Sequence, residues 1–80
     1  VFKKPGTYGF WMKDMKFSID IIWLDENYKV VHIEENLSPE TYPKIFYPKS
    51  KALYVVETNP NFVKSYGIKL GNTLVFSQKK

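Results

Sequence analysis

Ile19-Asp20-Ile21-Ile22-Trp23-Leu24-Asp25 is the stretch whose reading decides the fold. Side chains of an extended chain alternate, so Ile19, Ile21 and Trp23 share one face and Asp20, Ile22 and Leu24 the other. Both faces are apolar apart from Asp20, the pattern of a strand covered on two sides and central in its sheet. Asp25-Glu26-Asn27-Tyr28 supplies turn residues, and Lys29 to Glu34 forms the returning strand. Strict alternation sends Val31 and Ile33 to one side of it and Val30 and His32 to the other.

Working outward, Phe2 reads as the end of a strand, Pro5-Gly6 as a turn and Tyr8 to Met12 as a short extended segment. Lys13 to Ser18 is a connection anchored by Met15 and Phe17. Asn36 to Ser50 carries Pro39, Pro43 and Pro48, which oppose both a helix and a central strand. It is expected to be a long ordered loop with Ile45, Phe46 and Tyr47 turned inward. Ala52 to Glu57 is a further strand. Asn59 is placed to cap a helix that has Pro60 at its first position and Phe62, Val63 and Tyr66 on one side. Gly67 ends that helix in a left-handed conformation. Gly71-Asn72 is a turn and Thr73 to Ser77 a closing strand. The expected class is α+β and mainly β: a small curved antiparallel sheet or partly closed barrel with one short helix.

Eighty residues suit a single domain over 1–80, and a 44% apolar fraction with six Phe, six Tyr and two Trp can furnish its core. The absence of cysteine excludes disulfides and thiolate metal sites within this stretch. No apolar run is long enough to insert in a membrane as a helix. Net charge is +4, and all twelve basic residues are Lys. Bidentate reading of bases and phosphates favours Arg, so no nucleic-acid partner is expected.

Phe10 to Asp14, the run Ile19 to Trp23 and Val30-Val31-His32-Ile33 together resemble the DUF192 family, also called UPF0127. The resemblance continues through Asn36, Pro39, Ala52 to Glu57, Phe62, Gly67-Ile68 and Gly71. That family has no established biochemical role. Its members usually carry Asn-Thr where this chain has Asp14-Met15, and Gly-Asp where it has Gly71-Asn72. The first difference adds a carboxylate beside Lys13; the second keeps a turn former. The resemblance also implies a further strand ahead of Val1, so the chain reads as N-terminally truncated, with an open strand edge that could pair with another chain. Export signals in many members imply an extracytoplasmic location.

Several chemistry-bearing residues lie around this frame. Lys13, Asp14 and Asp20 could form a polar pocket, since a buried Asp20 needs a partner. The structural alternative is an ion pair, or an Asp20 that holds backbone N–H groups. Glu57, at a strand end, could face the same pocket and share acid and base roles with Asp20; alternatively it hydrogen-bonds to its own loop. Trp11 and Tyr42 could floor the pocket with aromatic surface. His32 is the lone histidine and lacks the companions of a zinc site. A carboxylate cage from Asp14, Asp20 and Glu57 lacks EF-hand spacing, so neither a metal nor a cofactor is expected.

The leading expectation is a small ligand-binding or accessory domain with a polar-aromatic pocket built from Trp11, Lys13, Asp14, Asp20, Tyr42 and Glu57. It would take a small molecule, a sugar or a peptide. The alternatives are a hydrolase using Asp20 and Glu57 as its catalytic pair, and a structural or protein-interaction module.

Overall fold

The computed structural model describes residues 6, 7 and 9–74. Its elements are β1 (Phe10–Trp11), β2 (Ile19–Leu24), β3 (Val30–Leu37), β4 (Ile45–Phe46), β5 (Tyr54–Thr58) and α1 (Phe62–Tyr66), with a 3-10 turn at Pro39–Thr41. Strands β3, β2 and β5 form one antiparallel sheet in that order, and β1 pairs with β4 in a second. The fold is mainly β, with curved sheets and one short helix. The sheets do not close into a barrel.

β2 is central, as its two apolar faces require, and all six of its residues are buried. Its alternation divides the core. Ile19, Ile21 and Trp23 pack with Met12, Leu37, Phe46 and Ala52 on one face. Ile22 and Leu24 pack with Val30 and Val63 on the other, which α1 covers. Burying apolar side chains on both sides of one strand is the main stabilising contribution here, at about 1.5–3 kcal/mol per large aliphatic residue.

Strict alternation fails in β3. Trp23 stands opposite His32 but Leu24 stands opposite Val30, so Val31 is an extra residue on this strand. A bulge of this kind reverses the facing of the residues beyond it. Val30 and Ile33 therefore join one cluster, while Val31 packs against the other. β3 also runs on to Leu37, three residues past the expected Glu34, before Ser38 caps the 3-10 turn by accepting the Glu40 N–H at 3.2 Å.

The proline-rich segment is more structured than a plain loop. Ile45–Phe46 pairs with Phe10–Trp11, and strand alternation buries Phe46 while leaving Ile45 and Tyr47 exposed. The inward turn expected of all three residues is thus corrected to Phe46 alone. Tyr42-Pro43 is a cis peptide bond.

At the helix start, Asn61 rather than Asn59 occupies the cap position. Its φ is 69°, and its side chain makes no capping bond. Pro60 lies in the preceding turn. The helix ends as expected at Gly67, with φ 62° and its N–H directed at the Lys64 and Val63 carbonyls. Lys29 and Thr73 form an isolated bridge. The readings of Phe2, Pro5, Tyr8 and the stretch from Val75 to Ser77 lie outside the described residues.

Candidate functional site

Asp20 is completely buried, on the β2 face that looks toward α1. Its Oδ1 accepts the Asn36 N–H at 2.8 Å and its Oδ2 accepts the Val63 N–H at 2.9 Å. Asn36 has left-handed backbone geometry, φ 52°, at the point where the β2–β3 register shifts. Val63 belongs to the first turn of α1, whose N–H groups have no partner within the helix. A carboxylate is well suited there, because it satisfies an orphan donor and opposes the positive end of the helix. Asn36 Nδ2 also donates to Asn61 Oδ1 at 3.2 Å, tying β3 to the helix start. Asp20 is therefore a structural carboxylate that joins β2, β3 and α1. Lys13 is not its partner.

The β2–β5 register places Asp20 opposite Thr58 and Ile21 opposite Glu57. Directly opposed residues project to the same side, and successive residues to opposite sides. Asp20 and Glu57 consequently lie on opposite faces of one sheet. They cannot divide acid and base roles at one bond, and the hydrolase reading loses its geometry.

Between the β1–β2 connection and the β5–α1 corner, an open groove of about 460 Å³ is lined by Met15, Phe17, Ile19, Glu57, Thr58, Asn59 and Phe62. Ile19 is buried in its floor, Met15 and Phe62 are half-buried, and Phe17 is 62% exposed. Glu57 is exposed at its rim. The Thr58 hydroxyl donates to the Asn59 carbonyl at 3.1 Å. Met15 and Phe17 continue the every-second-residue pattern that includes Ile19, and that was the signal in the sequence for this floor. Thr58, Asn59 and Phe62 carried no such signal, because their place depends on how β5 meets α1.

Of the six residues expected to make a polar-aromatic pocket, only Glu57 lines this groove. Trp11 and Tyr42 touch each other, ring centroids 5.1 Å apart, on the two-stranded sheet side. Lys13 Nζ lies 5.7 Å from the Trp11 ring centroid. Asp14 is exposed in a turn with φ 63°. The expected pocket is therefore not formed: no aromatic cluster frames a pocket among the described residues, and the small-ligand reading that rested on it is withdrawn. The physical cause is the register, which turns Asp20 toward the helix and leaves Trp11 on a different sheet.

His32 is buried, its ring edge-on to Trp23 at 5.2 Å between centroids, with Nε2 2.8 Å from Glu34 Oε2. Among the described residues, no three His, Cys, Asp or Glu side chains are grouped to hold a metal ion. No helix among them is long and apolar enough to cross a membrane.

The family model of DUF192, described as "Uncharacterized ACR", matches residues 1–76. The chain belongs to the DUF192 family. No curated protein matches it. Among solved structures, this DUF192 chain is similar to a Sinorhizobium meliloti 1021 protein described as "a putative transcription regulator", with a TM-score of 0.81 at 26% identity over 88% of this chain and 54% of that one. It is also similar to a protein of unknown function from Novosphingobium aromaticivorans DSM 12444, with a TM-score of 0.77 at 28% identity over 84% of this chain and 47% of that one. The chain spans about half the length of these two similar proteins.

Proposed function

We propose that this domain is a protein-interaction module that takes an extended peptide in the groove between the β1–β2 connection and the β5–α1 corner. The observation that carries this reading is the composition of that groove: an apolar floor of Met15, Phe17, Ile19 and Phe62 with one carboxylate, Glu57, at its rim. Such a floor accepts a leucine- or phenylalanine-sized side chain, and Glu57 complements a lysine or arginine beside it in the partner. Burying one such side chain contributes about 1.5–3 kcal/mol. The ordering of the peptide opposes this, so binding is weak and transient. The description of the S. meliloti relative as a regulator of transcription stays with that protein: a five-residue helix and a chain without Arg offer little to a DNA groove.

Titration of the isotopically labelled chain with short peptides holding an apolar residue beside lysine tests the reading by amide shifts. Shifts confined to Ile19, Glu57, Thr58, Asn59 and Phe62, lost in Glu57→Lys, support it. Shifts absent from those residues, or unchanged when the peptide's apolar residue becomes serine, overturn it.

A further inference from the structure

The floor of the groove holds one side chain that a chemical signal can change. The chain has two methionines, Met12 and Met15, and no cysteine. Without a thiol, these two thioethers are the side chains that a peroxide oxidises first. They lie three residues apart in one turn, where the Met15 N–H donates to the Met12 carbonyl at 3.1 Å. Asp14 between them has left-handed backbone geometry, φ 63°. The two side chains meet different surroundings. Met12 is 1% exposed and packs with Ile19, Ile21 and Trp23. Met15 is half-buried: it touches the edge of that cluster and lines the groove. No other residue lining the groove carries sulfur.

Oxidation of a thioether follows access, so the groove admits a peroxide to Met15 while the core shields Met12. In the reaction with hydrogen peroxide, a lone pair of the Met15 sulfur attacks one peroxide oxygen. The S–O bond forms as the O–O bond breaks, and hydroxide leaves. The proton of the transferred hydroxyl passes to that hydroxide, which yields sulfoxide and water. Sulfur is oxidised by two electrons and the peroxide is reduced by two. The product sets a polar oxygen in an otherwise apolar floor. An apolar side chain seated there would desolvate that oxygen and offer it no donor. We propose that Met15 is a reversible oxidation site whose sulfoxide lowers the affinity of the groove for its peptide. The switch presupposes the peptide reading of the groove and adds its regulation. Enzymes that reduce methionine sulfoxide restore the thioether and hence the apolar floor.

The test treats the 80-residue chain with hydrogen peroxide for timed intervals and locates the added oxygen by peptide mass spectrometry. Affinity for a short peptide with leucine beside lysine is measured before and after. Met15 should oxidise at least about ten-fold faster than Met12. The chain oxidised at Met15 should bind the peptide about five-fold more weakly, with unchanged circular dichroism. Methionine sulfoxide reductase should restore the affinity. Met15→Leu should bind with one affinity before and after peroxide, and Met15→Gln, polar without oxidation, should bind weakly throughout. Met12 oxidised as fast as Met15 overturns the proposal, as does an affinity unchanged by the Met15 sulfoxide. So does a loss that Met15→Leu shares, or one that accompanies a lost circular dichroism signal. Failure of the peptide reading is distinct: the untreated chain then binds no peptide, and the switch falls with it even where Met15 oxidises selectively.

Discussion

The carboxylate of Asp20, on a central strand, accepts the N–H of Val63, 43 residues later in the chain, at 2.9 Å. The first turn of α1 is thus capped from the sheet and not by its own cap residue. Asn61 makes no side-chain capping bond, and Asn59 contributes only its backbone carbonyl, to Phe62 N–H at 3.2 Å.

Asp20→Asn is expected to destabilise the fold by about 1–3 kcal/mol. One side-chain oxygen remains, and the new amide NH2 faces a backbone donor. Asp20→Ala should cost at least as much, since it leaves two N–H groups unpaired. Urea denaturation gives the comparison. A stability equal to that of the unsubstituted chain would show that the buried carboxylate is not a structural link.

Because Asp20 and Glu57 lie on opposite faces, their substitutions should act independently. Glu57→Gln alone is expected to change stability by no more than about 0.5 kcal/mol. A double-mutant cycle of Asp20→Asn with Glu57→Gln should yield a coupling under about 0.5 kcal/mol. A coupling well above that value would mean that the two carboxylates share an environment.

Gly67 has φ 62° and open space around the position of a Cβ. Gly67→Ala should therefore cost about 1 kcal/mol, all of it from the left-handed backbone and none from a clash. Gly67→Asn should recover part of the loss, because asparagine tolerates that region better. Thermal melts of the two variants test the ranking; Ala equal to Asn or above it would contradict the origin assigned to the cost.

Tyr54 hydroxyl donates to Tyr28 hydroxyl at 3.4 Å, with the rings stacked 4.8 Å apart. That hydrogen bond, followed by burial and the neighbouring phenol, raises the Tyr54 pKa above its ordinary 10.0. A raised value means the folded state holds this proton more tightly than the unfolded chain. The contribution to stability is present below pH 10.0 and is lost as pH rises through the higher folded value. Ultraviolet titration should show late ionisation that Tyr28→Phe moves back toward the ordinary range. An unaltered curve in Tyr28→Phe would rule out the pair as its cause.

Much of the frame was legible from local pattern. The two apolar faces of Ile19–Leu24, the turn at Asp25–Tyr28 and the left-handed stop at Gly67 each follow from chemistry within a few residues, and the structure contains all three. The site was far less legible. Alternation assigned Val31 and Ile33 to one side, but one extra residue in β3 reversed the order. Nothing in the run Pro39–Pro48 announced that Ile45–Phe46 pairs with Phe10–Trp11, since pairing between distant segments leaves no short-range mark.

The sequence by itself determined that this chain is mainly β, that β2 is a central strand and that Asp20 must be satisfied inside the protein. Those conclusions need only side-chain periodicity and the cost of burying an unpaired charge. Tertiary structure alone decided which groups satisfy Asp20, which face Glu57 occupies and which apolar residues line a groove. Each depends on the register between β2 and β5 and on where α1 begins, and a shift of one residue in that register would exchange every side chain from one face to the other.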